Sequence, residues 1–441
     1  MSAKGVSTKP ASGFRDFVGR EAARREHLIH QISEIYQSFG FEPIDSPALE
    51  NLDVLFGSGG QENEKLIFKA IKRGEKLEEV LQKADYQNLC DLGLRFDLTV
   101  PLCRVFAAYR AELPTPWKVF HTGPVWRAER PQKGRYREFY QCDVDIVGSS
   151  SLLAELLVME AVSEVFLSFG VRDLELHLNH RELLIGMAHK FGFSDHIEAF
   201  VILLDKADKI PLEKLEQEME TLLGAKLPAQ LKDLLHGQLT LDQLRSDFLE
   251  PVETIEKLIQ SYSLRFQNLP IRFVPSLARG MGYYTGAIFE FRLKAGGGSL
   301  GGGGRYDRLI GRFSSQDTPA VGCSIGFERL LNYLEENQYF EKSSSVLFFP
   351  IFDKKFFEAS QVLASQIRQS GIKVDIYADE SKIKNQFRYA DSKNYRWVLI
   401  AGEDEWAKNI FKLKDMKEGH ELEVTQAELF SKLQSLVLVD L

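Results

Sequence analysis

Apolar positions recur at helical spacing from Glu21 to Phe39 (Leu28, Ile29, Ile32, Ile35, Tyr36), which predicts a helix closed by Gly40. A short strand, Phe41 to Ile44, then runs to Pro47, and Leu94–Asp97 and Lys118–Phe120 read as further strands. Beyond Gly148 the pattern predicts a long amphipathic helix, Ser151–Phe169, followed by a strand, Leu174–Leu178. From residue 191 to residue 267 the chain turns helical and charged (LDKADKIPLEKLEQEMETLL), as an inserted helical module or a helical flank of the core. Strand-like patterns return over Phe273–Phe291, ahead of the dense glycine of AGGGSLGGGGRYD.

The Ser-rich stretch Glu341–Ser345 marks a boundary. After it come a strand at 346–350, a helix to Gln369, the strand IKVDIYA, a basic helix near Lys382–Lys393 and the strand WVLIAG at 397–402. Strands separated by helices imply a parallel or mixed α/β sheet, here in a domain spanning residues 346–441. Residues 1–12, rich in Ser, Lys and Gly, read as a mobile leader to a first domain spanning 13–340.

Composition narrows the class. The 441 residues are 44% hydrophobic and 27% charged, the balance of an ordinary globular protein of roughly three domains. A formal net charge of −8 means that any binding of nucleic acid must rest on local basic patches. No run approaches the ~20 apolar residues that cross a bilayer, and MSAKGVSTKPASGF carries no export or organelle address, so the protein reads as cytoplasmic. Cys90, Cys103, Cys142 and Cys323 are scattered without a CxxC pair, as plain thiols rather than a zinc site or a disulfide framework.

Four clusters carry candidate chemistry. In HTGPVWRAERPQKGRYREFYQCDVD (121–145), Pro131 and Gly134 break regular structure, so the middle is a loop joining two strands. Its Arg127, Arg130, Lys133, Arg135 and Arg137 suit a polyphosphate, or form a solvated basic hairpin. In SLARGMGYYTGAIFEF (276–291), Arg279 sits among small residues, and Tyr283 and Tyr284, read on a strand, point to opposite faces, so that one lines a pocket. GGGGRYDRL (301–309) reads as glycines ahead of a strand, where the backbone can approach a ligand, or as a hairpin without function. TPAVGCSIGFERLLNYL (318–334) follows as a strand entering a helix, with Glu328 and Arg329 at the helix start, where phosphate is favoured. In LRFDLTVPL (94–102), Asp97 and Thr99 share one face of the expected strand and suit an ammonium group, or belong to a surface strand. Neither GxxxxGK[ST] nor a GxGxxG after a strand occurs.

Together these clusters resemble the class II aminoacyl-tRNA synthetases, and within them the histidyl-tRNA synthetase family. The likeness runs from Pro10–Gly13–Asp16, through the helix and strand to Pro47 (the family's dimer-forming first motif), to KLKDM near the C-terminus. Arg127–Ala128–Glu129 with RPQKGRYREF matches the second motif and GFER (326–329) the third, while RGMGYYTG and GGGRYD resemble the signatures of the histidine enzyme. The resemblance implies an α+β catalytic domain with an antiparallel sheet, a helical insertion at about residues 191–267 and a C-terminal α/β anticodon-binding domain. It further implies a homodimer that takes histidine, ATP with Mg²⁺, and the histidine-specific tRNA.

Carried over residue by residue, the resemblance gives Arg127 the ATP α-phosphate, Arg135 and Arg329 the outer phosphates, and Phe139 and Glu129 the adenine. It gives Asp97, Thr99 and Gln141 the amino group of histidine, and Asp145 and Tyr284 the imidazole, with Leu98, Tyr283 and Tyr306 completing the pocket. Arg279 would stabilise charge at the α-phosphate, and Gln132 lies where the family meets the tRNA acceptor end. Three departures stand out: Gly282 where many members carry Asp, and Asp97 and Asp145 where many bacterial members carry Glu. In the last domain Lys382, Lys384, Arg388, Lys393 and Arg396 form a local basic patch for RNA phosphates. A non-catalytic regulatory subunit of ATP phosphoribosyltransferase, the family's paralogue, predicts loss of the arginine found here as Arg279 and of the final domain. The regulatory part of a stress kinase would need kinase motifs that the chain lacks.

Overall fold

The segment WKVFHTGPVW (117–126) buries most of its alternate residues and needs a hydrogen-bonding partner on each edge. A computed structural model shows how it finds them; it describes residues 6–56, 64–131, 136–207, 210–278, 282–296, 298–340, 346–379 and 381–437. The chain divides into two units, 1–336 and 337–441.

In the first unit the strands are β1 (Glu42–Pro43), β2 (Leu49–Asn51), β3 (Lys69–Ile71), β4 (Cys90–Leu94), β5 (Trp117–Trp126), β6 (Glu138–Val147), β7 (Leu174–His180), β8 (Ile271–Phe273), β9 (Ala287–Leu293), β10 (Ser299–Arg305) and β11 (Ala320–Gly326). Eight form one sheet in the order β1-β5-β6-β11-β10-β9-β7-β8, and β2-β4-β3 form a small second sheet. The six central strands of the large sheet run antiparallel, and the outer pairs β1–β5 and β7–β8 run parallel. The strands expected at 41–44 and 118–120 lie within or across β1 and β5, and the strand-like stretch 273–291 resolves into β8 and β9 alone.

Helix Arg20–Ser38 lays Leu28, Ile32 and Tyr36, none of them exposed, against this sheet, with the Tyr36 ring 5.7 Å from that of Phe120. Helix Leu152–Ser168 is not amphipathic as its sequence suggested. It is packed between the sheet and other helices, so Ala154, Val158, Ala161, Val162 and Phe166 are all buried, while the apolar Leu153 stands exposed and the charged Glu155 is buried, which blurs any division into faces. Ser163 and Tyr262 hydroxyls meet at 2.6 Å, which ties it to helix Leu249–Arg265. The 191–267 stretch is helical in five α-helices between Ile197 and Arg265, the last of which flanks the core.

A buried ion pair crosses this layer. Arg305, at the end of β10, binds both Glu155 oxygens at 2.6 Å and donates to the Ser149 carbonyl at 2.9 Å and to Asp307 at 3.2 Å. Asp307 in turn accepts the Ala320 N–H, and Thr285 N–H donates to the Arg305 carbonyl at 2.7 Å, so side chain and backbone of one residue together gather three loops.

The second unit has strands β12 (Val346–Phe349), β13 (Lys373–Ile376), β14 (Trp397–Ile400), β15 (Ile410–Asp415) and β16 (Glu421–Thr425) in the order β13-β12-β14-β15-β16. The first three are parallel and the last two join antiparallel, a mixed sheet around Leu347, Phe349, Ile367, Leu399, Phe411 and Leu433.

Replacing Glu155 with Ala leaves the buried Arg305 charge with one acidic partner among the described residues, the longer and more exposed contact to Asp307. The expected loss is about 3–5 kcal/mol of stability of the first unit, read from the shift of its urea transition.

Candidate active site

Strands β5 and β6 pair from Trp117↔Val147 to Trp126↔Glu138 and carry the loop between them. The loop is pinned at its base: Arg127 N–H donates to the Arg137 carbonyl at 2.8 Å, Ala128 N–H to the Leu66 carbonyl at 2.7 Å, and Arg137 N–H to the Gly13 carbonyl at 2.9 Å. Arg127 therefore leaves the strand end in a fixed direction, its Nε on the Phe96 carbonyl (3.1 Å) and its guanidinium 5.0 Å from the centre of the Phe139 ring. Arg127, Glu129 and Phe139 all line a cavity of about 570 Å³ that opens on the face of the large sheet. The sequence-expected Gln132 and Arg135 of this loop, and Arg279, lie outside the described residues.

The floor of the cavity is acidic. Asp97, Asp143 and Asp145 line it and are each 3% exposed or less. Asp97 is not on a strand with Thr99: β4 ends at Leu94, and Thr99 begins helix Thr99–Tyr109. The alternation of LRFDL imitates a strand, but Pro101 fits the first helical turn, where its missing N–H costs nothing. Asp97 Oδ1 accepts the Val100 N–H at 3.2 Å, while among the described residues Oδ2 has no hydrogen-bond partner. Burial raises the Asp97 pKa to about 6 against the Val100 N–H and Arg127, which lower it. Asp145 accepts the Tyr306 hydroxyl at 2.6 Å, and burial raises it to about 7 against that bond, with Asp97 adding to the rise.

Glycine makes room for this floor. A Cβ on Gly322, which pairs with Asp145 across β6 and β11, would stand 1.7 Å from Asp145 Oδ1. A Cβ on Gly304 would meet the Ala287 carbonyl at 2.6 Å. Gly301–Gly304 are thus part of strand β10 itself and do not precede a strand as expected.

Tyr283 and Tyr284 sit in a turn before β9, not on a strand, so both line the cavity and the strand-face argument does not apply. Their rings are 5.0 Å apart, and the Tyr283 ring lies 6.0 Å from that of Tyr306. The segment before this turn is held by the fully buried Asn179, whose amide donates to the Pro275 (3.1 Å) and Leu277 (2.9 Å) carbonyls. Among the described residues a Cβ on Gly282 would meet nothing within 4 Å, so none of them excludes an Asp there. Leu98 is buried but does not line the cavity.

At the other end Arg329 lines the cavity near the start of helix Phe327–Glu336 and donates to the Ser299 carbonyl at 2.8 Å. Its neighbour Glu328 is clamped by Arg25 (2.7 and 2.8 Å) and Arg15 (2.9 Å), and the Arg15 guanidinium rests 3.4 Å from the centre of the Tyr136 ring. Among the described residues no group of three or more His, Cys, Asp or Glu is arranged to hold a metal ion. The four cysteines are free, three of them buried.

In the second unit Lys382 caps helix Ile383–Lys393, and Lys384 and Arg388 follow one turn apart; all three are exposed. Arg396 is instead bound to Asp415 at 3.0 Å.

Sequence reasoning missed Asp143, Ser324, Asp205 and Glu290, all of which line the cavity, and the supports Asn179 and Arg25. Asp143 had a signal in the alternation of QCDVD, which puts it on the same face of β6 as Gln141 and Asp145. The others come from segments far apart in the chain.

An antiparallel sheet that offers arginines from a strand loop and a helix start, without a Gly-rich phosphate loop, is the architecture of the class II aminoacyl-tRNA synthetases. Within that class the chain belongs to the histidyl-tRNA synthetase family, whose model matches residues 13–330, while that of an anticodon-binding domain matches 345–436. Histidine–tRNA ligase of Phocaeicola vulgatus is 36% identical over 98% of this chain and 100% of its own length. That of Bacteroides fragilis is 38% identical over 97% and 100%. The crystal structure of histidyl-tRNA synthetase from Nostoc sp. PCC 7120 superposes with a TM-score of 0.82 at 26% identity, covering 98% of this chain and 100% of the other.

Because the folded Asp97 pKa of about 6 exceeds the ordinary 3.8, the folded state binds the extra proton between these values, and stability falls as pH rises through that window. Asp97→Asn retains an oxygen for the Val100 N–H. The variant is therefore expected to match the parent near pH 4 and exceed it by about 1–3 kcal/mol at pH 8 in urea unfolding.

Proposed function

We propose that the protein is a histidine–tRNA ligase, which converts histidine and ATP to histidyl-adenylate and pyrophosphate and then passes the histidyl group to the terminal ribose of its tRNA, releasing AMP. The observation that carries the reading is one cavity holding a buried acceptor on Asp97 without a partner among the described residues, a carboxylate–tyrosine pair at Asp145–Tyr306, and Arg127.

In the first step a carboxylate oxygen of histidine attacks the α-phosphorus of ATP in line, and the bond to the bridging oxygen of pyrophosphate breaks. Negative charge gathers on the α-phosphate oxygens, and Arg127 and Arg279 supply fixed positive charge there. Arg135 and Arg329 take the outer phosphates, with Mg²⁺ arriving as part of the nucleotide substrate. Phe139 stacks on adenine, and Glu129 accepts from its amino group.

Histidine is held at both ends. Asp97, Thr99 and Gln141 receive the ammonium group; Asp145, already bonded to Tyr306, accepts an imidazole N–H beside Tyr284, with Tyr283 and Leu98 behind. A buried carboxylate without its N–H partner is costly, so amino acids lacking the imidazole are rejected. The tRNA meets the first unit at Gln132 and the second at the exposed Lys382, Lys384 and Arg388. A homodimer working in the cytoplasm completes the reading, and among the described residues no helix is long and apolar enough to cross a membrane. The regulatory-subunit alternative is disfavoured by Arg279 and by the anticodon-binding match over 345–436.

Amino-acid-dependent ATP–pyrophosphate exchange over all twenty amino acids tests the reading. The expected outcome is exchange with histidine alone, reduced at least about 100-fold in Arg279→Ala. Folded protein that binds histidine yet exchanges with no amino acid would sink the ligase reading and favour the regulatory one.

A further inference from the structure

Asp143 is buried, lines the cavity, and has no part in the scheme above. The Gln141 amide nitrogen donates to Asp143 Oδ1 at 3.3 Å and to Ser324 Oγ at 2.8 Å. Ser324 sits directly opposite Asp143 across β6 and β11, and its hydroxyl is hydrogen-bonded to the Asp143 carboxyl. Gln141 Oε1 is buried and has no hydrogen-bond partner among the described residues.

These bonds have a direction. An amide can present either its oxygen or its nitrogen to a neighbour, and a hydroxyl can donate or accept, so Gln141 and Ser324 alone leave the amide free to flip. A carboxylate only accepts. It draws the Ser324 O–H and the Gln141 N–H toward itself, and the Gln141 oxygen is then turned away from it.

We propose that Asp143 is a positioning residue that fixes the flip of the Gln141 amide, so that Gln141 meets the substrate ammonium with an oxygen and never with an NH₂. The inference rests on the assignment of Gln141 to the ammonium group. Burial above all, with Asp145 and Asp97, raises the Asp143 pKa well above the ordinary carboxyl value against the Ser324 hydroxyl and the Arg127 charge. An arriving ammonium opposes the proton, and Oδ1, which faces Gln141, remains an acceptor when the proton sits on the other oxygen.

Asp143→Asn keeps size and shape but can donate to the Gln141 oxygen, which turns the Gln141 NH₂ toward the ammonium. Dissociation constants are measured by calorimetry for histidine, histidinol and 3-(imidazol-4-yl)propanoate, the last of which lacks the amino group. The variant is expected to weaken histidine and histidinol about 10- to 100-fold and to leave the deamino compound within about twofold. Adding Gln141→Glu, which presents oxygen to both sides, is expected to restore most of the loss. Ser324→Ala, a milder change, is expected to weaken the same two ligands by a smaller factor.

Unchanged histidine binding in Asp143→Asn, or an equal loss for all three ligands, overturns the proposal. Gln141→Ala separates it from its premise. If that variant does not discriminate against the ammonium ligands, the assignment of Gln141 fails; if it does while Asp143→Asn and Ser324→Ala do not, only the positioning role fails.

Discussion

The close approach of strands β10 and β11 to the residues beneath them is the constraint on which the site depends. A large antiparallel sheet ordinarily covers its face with side chains, and a cavity on that face exists only where side chains are withheld. Gly322 withholds one where Asp145 needs the space, and Gly304 withholds another where the backbone of β9 comes close. The sheet then supplies rigid positions, β6 for Gln141, Asp143 and Asp145 and β11 for Ser324, so these four groups are held by hydrogen-bonded strands.

Much of this was legible in the chain. The strand–loop–strand around Arg127, the helix start at Arg329 and the mixed α/β second unit all follow from punctuation by Pro and Gly and from changes of hydrophobic period. What misled was local ambiguity. LRFDL and GYYTG alternate like strands, yet a helix start at Thr99 wins through a local side-chain bond to its first turn and a turn at Tyr283–Tyr284 through a tertiary one. The Val100 N–H finds Asp97, and Thr285 is tied to Arg305. Residues such as Asn179 and Arg25 were unreadable because their partners lie about a hundred or several hundred positions away.

The site also shows how stability is exchanged for binding. Three buried carboxyls share one cavity with Arg127, and their raised or opposed ionisation is a standing cost in the empty protein. A cationic ligand relieves that cost on entering. Unfavourable groups collected in this way favour a charged occupant over water or an apolar one. The surrounding ion pair Arg305–Glu155 and the well-packed helix Leu152–Ser168 hold the geometry while the cavity itself remains poorly satisfied.

The grip of Arg25 on Glu328 has a consequence for how the protein is made. The two residues are 303 positions apart, so during synthesis the first helix leaves the ribosome long before its carboxylate partner exists. In the folded protein the same guanidinium also rests 3.8 Å from the centre of the Phe17 ring, a neighbour close in sequence. The wall of the cavity at Glu328 is therefore completed among the last events of the first unit's folding, since a chain stalled short of residue 328 lacks the carboxylate that clasps the first helix.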